Sequence, residues 1–209
     1  MTERPDPPTD PSVTLRTAAA TLAQAFHGTN AFTYALPSPE RQRTALPHLF
    51  AALLRTCRRY GQVRHGDGGA AVAAWLPGDR LDTSLIELVR SGLVLAPLYL
   101  GPSATIRLQR HEALVHRSLR TAVTSASAYL SLVGVRPDAQ GTGAGRRVIE
   151  AALVSMHAAG YERCLLATDD EPNVGLYAHL GFEVIEDLDA LPTGLESWIM
   201  ARPTAAAKS

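Results

Sequence analysis

The six residues Gln140-Gly141-Thr142-Gly143-Ala144-Gly145 have the types and spacing that most directly suggest chemistry. They follow an apolar run ending at Val135 and a turn carrying Pro137 and Asp138, and they lead into a segment of helical periodicity. Three glycines at a strand-to-helix junction let backbone approach a ligand closely, and the first helical N–H groups have no intrahelical partners. Together with the positive end of the helix dipole, those donors suit a pyrophosphate. Neither of the two commonest phosphate loops is present. A P-loop continues with Lys-Ser or Lys-Thr, where this chain has Arg146-Arg147. A dinucleotide fingerprint needs a third glycine where Val148 stands. On the glycines alone, a turn that merely starts a helix explains the run equally well.

A second stretch, residues 166–182, carries Asn173 and Tyr177 one helical turn apart on a shared face, then Leu180-Gly181-Phe182, a glycine helix end opening a strand. A tyrosine at that spacing is more often packing than chemistry.

The elements that must position these residues follow from periodicity. Asp10-Pro11 reads as a helix start, with Leu15, Ala18, Ala19, Leu22 and Phe26 at helical spacing behind it. Ser38-Pro39-Glu40 repeats the signal ahead of a second apolar stripe from Ala45 to Cys57, and Pro47 is expected to kink or restart that helix. Short strands are expected over 62–64 and 70–75, joined by a glycine-rich hairpin at 65–69. Helical character returns over 82–120, broken by Pro97 and Gly101-Pro102. Residues 129–135 are apolar on nearly both faces, the mark of a central strand. A helix over 143–159, a strand over 163–168, a short helix near 173–180 and strands near 182–186 and 196–200 complete the chain. The reading is one α/β domain over 11–202 with a mixed sheet, a proline-rich segment (1–10) and a tail (203–209) expected to be disordered.

Taken together, VGVRPDAQGTGAG and NVGLYAHLGF resemble the GNAT superfamily of acyl-CoA-dependent N-acetyltransferases, in the right order and at about the right separation. The layout of TLAQAF, DGGAAVAAW and the C-terminal Trp198-x-Met200 strand is similar to the puromycin N-acetyltransferase-like group within it. The resemblance implies an α/β (α+β) fold. Its central mixed, mostly antiparallel sheet is flanked by helices and splayed at the parallel strand pair that holds acyl-CoA. It implies acetyl-CoA as cosubstrate, no metal, and direct attack by a primary amine. Val133, Gly134 and Val135 would pair with the cofactor arm, Gly134 marking a bulge, and the Val135 N–H would stabilise the oxyanion. The backbone of Gly141, Thr142, Gly143, Ala144, Gly145 and Arg146 would hold the pyrophosphate, with Gln140 shaping the loop. Asn173 would contact the arm, and Tyr177 would protonate the departing thiolate.

The general base stays open among Glu112, His111, His116 and Asp169. Where close members of the group carry a Glu-Thr pair, this chain has Ala167-Thr168, which implies a different acceptor. The group's usual edge strand ahead of the first helix falls on DPPTDP, where proline cannot donate to a ladder. Phe32, Tyr34, Trp75, Leu95, Leu98 and Tyr99 are expected to supply an apolar acceptor wall, with Asp169 a further substrate contact. With few acidic residues expected there, an apolar or aromatic amine fits better than a polyamine.

Composition excludes some partners. Among 209 residues, 20 Lys and Arg balance 20 Asp and Glu, so the formal charge is zero and no broad field attracts nucleic acid. Cys57 and Cys164 lie in apolar periodic segments and read as core thiols, consistent with a reduced, cytoplasmic setting. No apolar run is long enough to cross a membrane. The expected activity is N-acetylation of a small-molecule amine, as in antibiotic or natural-product modification, by a monomer or homodimer. The alternatives are a protein lysine or N-terminal acetyltransferase, a longer-chain acyltransferase, or a non-catalytic acyl-CoA sensor.

Overall fold

The computed structural model describes residues 13–81, 84–189 and 191–205. Helix α1 (Leu15–Ala25) is capped by Thr14, whose hydroxyl accepts from the Thr17 N–H at 3.2 Å. The Asp10-Pro11 start, the DPPTDP segment and most of the expected tail lie outside the described residues. A six-residue helix, α2 (Asn30–Ala35), is too short to leave a periodic signature and was not expected. Helix α3 (Pro39–Tyr60) starts as its sequence predicts, with the Ser38 hydroxyl accepting from the Arg41 N–H. Pro47 does not restart it: the helix runs through to Tyr60. Proline in a helix interior costs about 3 kcal/mol. Burial of Leu46, Leu49 and Phe50 around it offsets that cost.

Strands β1 (Gln62–Gly66) and β2 (Ala71–Pro77) form the expected hairpin. Helices α4 (Leu85–Ser91), α5 (Ala96–Tyr99) and α6 (Pro102–Ala122) break where Gly92, Pro97 and Gly101-Pro102 require. Then come β3 (Ser127–Val135), α7 (Ala144–Ala158), β4 (Arg163–Thr168), α8 (Glu171–His179), β5 (Glu183–Leu188) and β6 (Ser197–Pro203). The six strands form one sheet in the order β1-β2-β3-β4-β6-β5, with β3 and β4 as its parallel pair. The parallel ladder joins Ser127–Tyr129 to Arg163–Leu165 and then stops, although the strands continue to Val135 and Thr168. The sheet is split there.

The split has a local cause in β3. Ala74 pairs with Leu132 and Trp75 with Leu130, so Ser131 is an extra residue, a bulge. One extra residue reverses which side chains face which layer. Ala128 and Leu130 pack toward α7, whereas beyond the bulge it is Val133 and Val135 that do, and Leu132 turns to α1 and α3. The bulge expected at Gly134 is therefore three residues earlier; Gly134 pairs regularly with Val72. Its lack of a side chain serves packing: a Cβ there would lie 2.8 Å from Leu22 Cδ2 and 3.0 Å from Ala25 Cβ of α1.

Two layers cover the sheet. One face packs on α1, α3 and α6 through Val72, Ala74, Leu132, Tyr129 and Leu165. The other packs on α7 and α8 through Ala73, Trp75, Cys164 and Leu166. Cys57 and Cys164 are free and buried, as their apolar settings imply. Burial pushes both thiols up to about 12, which leaves them unreactive. No helix among the described residues is long and apolar enough to cross a membrane.

Candidate active site

A cavity of about 650 Å³ opens on the α3–α6 face where β3 and β4 part. Its floor is the stretch 129–133 of β3 with the end of β4, from Ala167 to Asp169. Helix α6 supplies Glu112 and His116, and α8 supplies Asn173 and Tyr177. Phe26, Phe32 and Phe50, with centroids 5.0 to 6.0 Å apart, and leucines of α3 and α6 form the apolar part.

The polar groups concentrate on one side. Glu112 retains 49% of its side-chain surface and lines the cavity. Burial, followed by the negative charge of Asp169, raises its carboxyl to about 7 despite the opposing pull of His111. His116 Nε2 lies 3.5 Å from its Oε2, one turn along α6. His111 is buried, with Nδ1 3.3 Å from Thr193 Oγ1 and Nε2 3.1 Å from Asp169 Oδ1. The Nε2 contact lies off the line of a hydrogen bond, so it acts as a charge contact. Burial disfavours the His111 cation, but Asp169 and Glu112 together outweigh it and raise the pKa. Next along the chain, Asp170 accepts from the Asn30 N–H at 3.3 Å, and the Asn30 amide donates to the Asp169 carbonyl at 3.0 Å. These bonds fasten α2 across the end of β4. Burial also raises the Asp170 carboxyl, Asp169 adding to it and the Asn30 N–H opposing.

Asn173 donates to Thr168 Oγ1 at 3.3 Å, which orients its amide beside the end of β4. Tyr177, one turn further along α8, is buried and packs its ring edge-on against Phe182 at 5.7 Å. Burial, with Cys164 nearby, pushes its hydroxyl above the usual tyrosine range. The shared face foreseen for these two residues is present, and both line the cavity.

The glycine-rich turn lies at the far end of β3. Gly141 and Gly143 adopt φ of +77° and +79°, a region open to glycine and strained for other residues. Gln140 donates to the Val135 carbonyl at 3.2 Å, and Thr142 to the Ala139 carbonyl at 2.7 Å. Arg147 bridges the turn to the β1–β2 hairpin, reaching the Thr142 carbonyl and Asp67 Oδ2. Arg146 pairs with Glu150 at 2.7 Å. Helix α7 begins at Ala144 with no side-chain cap and no acidic residue in its first turn, so its leading N–H groups have no side-chain acceptor.

Four expectations are corrected. Val133 lines the cavity, but Val135 lies beyond its end because the bulge sits at Ser131. Trp75 faces the opposite layer, buried against Tyr161 with its indole N–H on Ser155 Oγ at 2.9 Å; odd-numbered residues of β2 point toward α7. Tyr34 is two residues from Phe32 on α2, hence about 200° round the helix, and does not reach the cavity. Leu95 and Leu98 are 51% and 82% exposed, and Tyr99 packs on His48 instead. The wall is also more acidic than expected, since Glu112, Asp169 and Asp170 all line it. Thr193 and Ser197 were not foreseen, as single hydroxyls outside any motif carry no signal in a sequence.

A family model described as an acetyltransferase (GNAT) domain matches residues 105–184, which run from α6 through the glycine turn to β5. Over that stretch the chain is similar to a GNAT acetyltransferase domain. Solved acetyltransferases share its fold across nearly its whole length. With a structure named SsHAT, 91% of this chain and 94% of that chain superpose at 22% identity and a TM-score of 0.55. With a structure described as histone acetyltransferase HPA2 and related acetyltransferase, from Corynebacterium glutamicum, 93% of each superpose at 19% identity and a TM-score of 0.55. At these identities the likeness is one of fold. The match to a ribosomal-protein alanine N-acetyltransferase from Escherichia coli is shorter, spanning 41% of this chain and 59% of that one at 27% identity and a TM-score of 0.35.

GNAT domains use acetyl-CoA as acyl donor. The residues present fit that molecule. The uncapped start of α7 suits its pyrophosphate. The strand stretch beyond the parallel ladder, left unpaired on its β4 side, suits an arm that hydrogen-bonds like a strand.

Proposed function

We propose that the chain transfers an acetyl group from acetyl-CoA to a primary amine of a small molecule by direct attack, with Glu112 as general base. The observation that carries this reading is the Glu112 carboxyl, raised to about 7 and facing the cavity at the strand split. A base of that pKa is ionised in part near neutral pH and is well matched to proton transfer there. Acetyl-CoA, when bound, supplies the acyl carbon: a C–N bond to the amine forms, the C–S bond breaks, and the sulfur leaves with the electron pair.

The chain's residues divide the remaining work. Glu112 takes a proton from the amine and passes it to solvent after transfer. Tyr177 keeps its hydroxyl proton at neutral pH, since its pKa is raised; it offers that proton to the departing sulfur and regains one from the newly acylated nitrogen, which sheds its second proton as the amide forms. The backbone N–H of Val133, on the cavity floor, is a better placed oxyanion donor than that of Val135. Backbone amides over 141–146, with Gln140 holding the turn, bind the pyrophosphate, and Asn173 contacts the arm. Phe32 and its aromatic neighbours receive the apolar body of the acceptor. Helices α2, α3 and α6 line the cavity, whose volume of about 650 Å³ suits a small molecule; antibiotic and natural-product amines are the class to screen first.

Thiol release from acetyl-CoA across an amine panel, with mass spectrometry of the product, tests this. Release with small amines and an acetyl-sized mass gain on nitrogen is expected. Release with peptides alone would replace the acceptor class, and CoA binding without release from any amine would make the chain an acyl-CoA sensor.

A further inference from the structure

Asp169 is a cavity carboxylate used neither for the donor nor for the proton transfer proposed above. It follows β4 directly, and its contacts share a distinctive geometry. Ser197 donates its hydroxyl to Oδ1 at 2.6 Å, and His111 Nε2 approaches the same oxygen at 3.1 Å. Among the described residues Oδ2 has no hydrogen-bond partner, while the side chain keeps 20% of its surface as part of the cavity lining.

The holding groups are themselves fixed. Ser197 is fully buried at the start of β6, and His111 is 1% exposed, with Thr193 on its other ring nitrogen. Helix α6 and strand β6 thus fix one oxygen of the carboxylate and leave the other without a partner among the described residues, on a side chain that lines the cavity. An ionised carboxylate only accepts hydrogen bonds, so its open oxygen calls for a donor. A positively charged donor gives the strongest such bond.

We propose that Asp169 Oδ2 docks the ammonium group of the acceptor, so that the substrate is a cationic primary amine on an apolar body, with His111 and Ser197 as positioning residues. This rests on the acyl-transfer reading. The charges around the site are consistent with it. Three carboxyl groups, those of Glu112, Asp169 and Asp170, line the cavity against two arginines, Arg80 and Arg120, so an ammonium group meets an acidic wall. Proton transfer to Glu112 then leaves the His111–Asp169 pair intact behind a neutral amine ready to attack. Phe26, Phe32 and Phe50 form the apolar part of the same cavity, where the rest of the molecule would lie.

The test is steady-state thiol release with an arylalkyl primary amine that the wild type acetylates, compared among wild type, Asp169→Asn, Asp169→Glu and Ser197→Ala. Asp169→Asn is expected to raise the amine KM by about tenfold or more, with a much smaller change in kcat and none in the acetyl-CoA KM. Asp169→Glu recovers part of the loss, and Ser197→Ala gives a smaller rise in the same constant. An amine KM unchanged in Asp169→Asn overturns the proposal while leaving acyl transfer standing. Thiol release from no amine in the wild type removes both. If Asp169→Asn does not fold, the wild type decides: a tertiary amine analogue, which is protonated at neutral pH and gives no stable amide, should compete with the amine about tenfold better than its neutral isostere with carbon in place of nitrogen. Equal inhibition by the two overturns the proposal.

Discussion

The proposed donor side draws on β3, the glycine turn and α7, which follow one another over 127–158, with Asn173 and Tyr177 of α8, whereas the proposed acceptor side draws on α2, α3, α6 and the end of β4, with Ser197 of β6 behind Asp169. The donor side offers mostly main-chain groups: an uncapped helix start, two glycines at positive φ and a strand stretch freed by a bulge. The acceptor side offers side chains, with Glu112, His111, Asp169 and Ser197 meeting from distant parts of the chain. A site made of backbone tolerates many sequences provided the turn geometry survives. A site made of side chains changes its chemistry with each substitution. One scaffold can therefore keep its donor while varying its acceptor.

The sharpest way to break this contrast is Glu112→Gln. It should lower kcat by about 100-fold or more and abolish the fall in rate as pH drops through about 7, read from pH profiles of thiol release. A profile that keeps that limb would remove Glu112 as the base. Tyr177→Phe comes next: a drop in kcat of about tenfold or more, with acetyl-CoA affinity nearly unchanged by calorimetry. Gly143→Ala probes the donor side through the backbone alone. A side chain at φ +79° is strained by about 1–2 kcal/mol, and its Cβ would sit 3.1 Å from Arg147 Nη1. The acetyl-CoA KM should rise by about fivefold while the amine KM stays put; a rise confined to the amine would erase the division between the two sides.

Two smaller effects concern stability. Trp75→Phe loses the buried bond to Ser155 and some volume on the face away from the cavity. It should cost about 1–2 kcal/mol, lowering Tm by roughly 4 °C with no change in amine KM. A large kinetic change would return Trp75 to the acceptor wall. The smallest effect comes from Glu112 again. Its folded-state pKa lies above its ordinary value, so the folded form binds the extra proton between them and wild-type stability falls as pH rises toward and through about 7. Glu112→Gln should therefore melt slightly higher than wild type at pH 8 and not at pH 4. The gain is small because half of the side chain is open to the cavity.

The helices and strands were largely legible, because Ser38-Pro39, Gly101-Pro102 and the apolar run of β3 each carry a local physical signal. Pro47 did not restart its helix, because a helix held by buried leucines and Phe50 tolerates a proline in its interior. Gly134 misled for another reason: the residue type that most often marks a bulge was needed here for the close approach of α1. That three-residue error put the expected oxyanion donor at Val135, which does not line the cavity. Tyr34 and Trp75 were misplaced because facing depends on helix rotation and strand parity, which composition does not reveal.

Sequence alone determined the motifs from which the donor is proposed. The glycine turn, Asn173 and Tyr177 lie in two short motifs, and local backbone geometry follows from local residues. Only the tertiary structure assembled the proposed acceptor side. It set Glu112 on a cavity wall, where surrounding protein raises its pKa, and it brought His111 and Ser197 to one oxygen of Asp169 across 86 residues of sequence. Desolvation and charge pairing arise from what folding brings together, so no spacing along the chain could announce them.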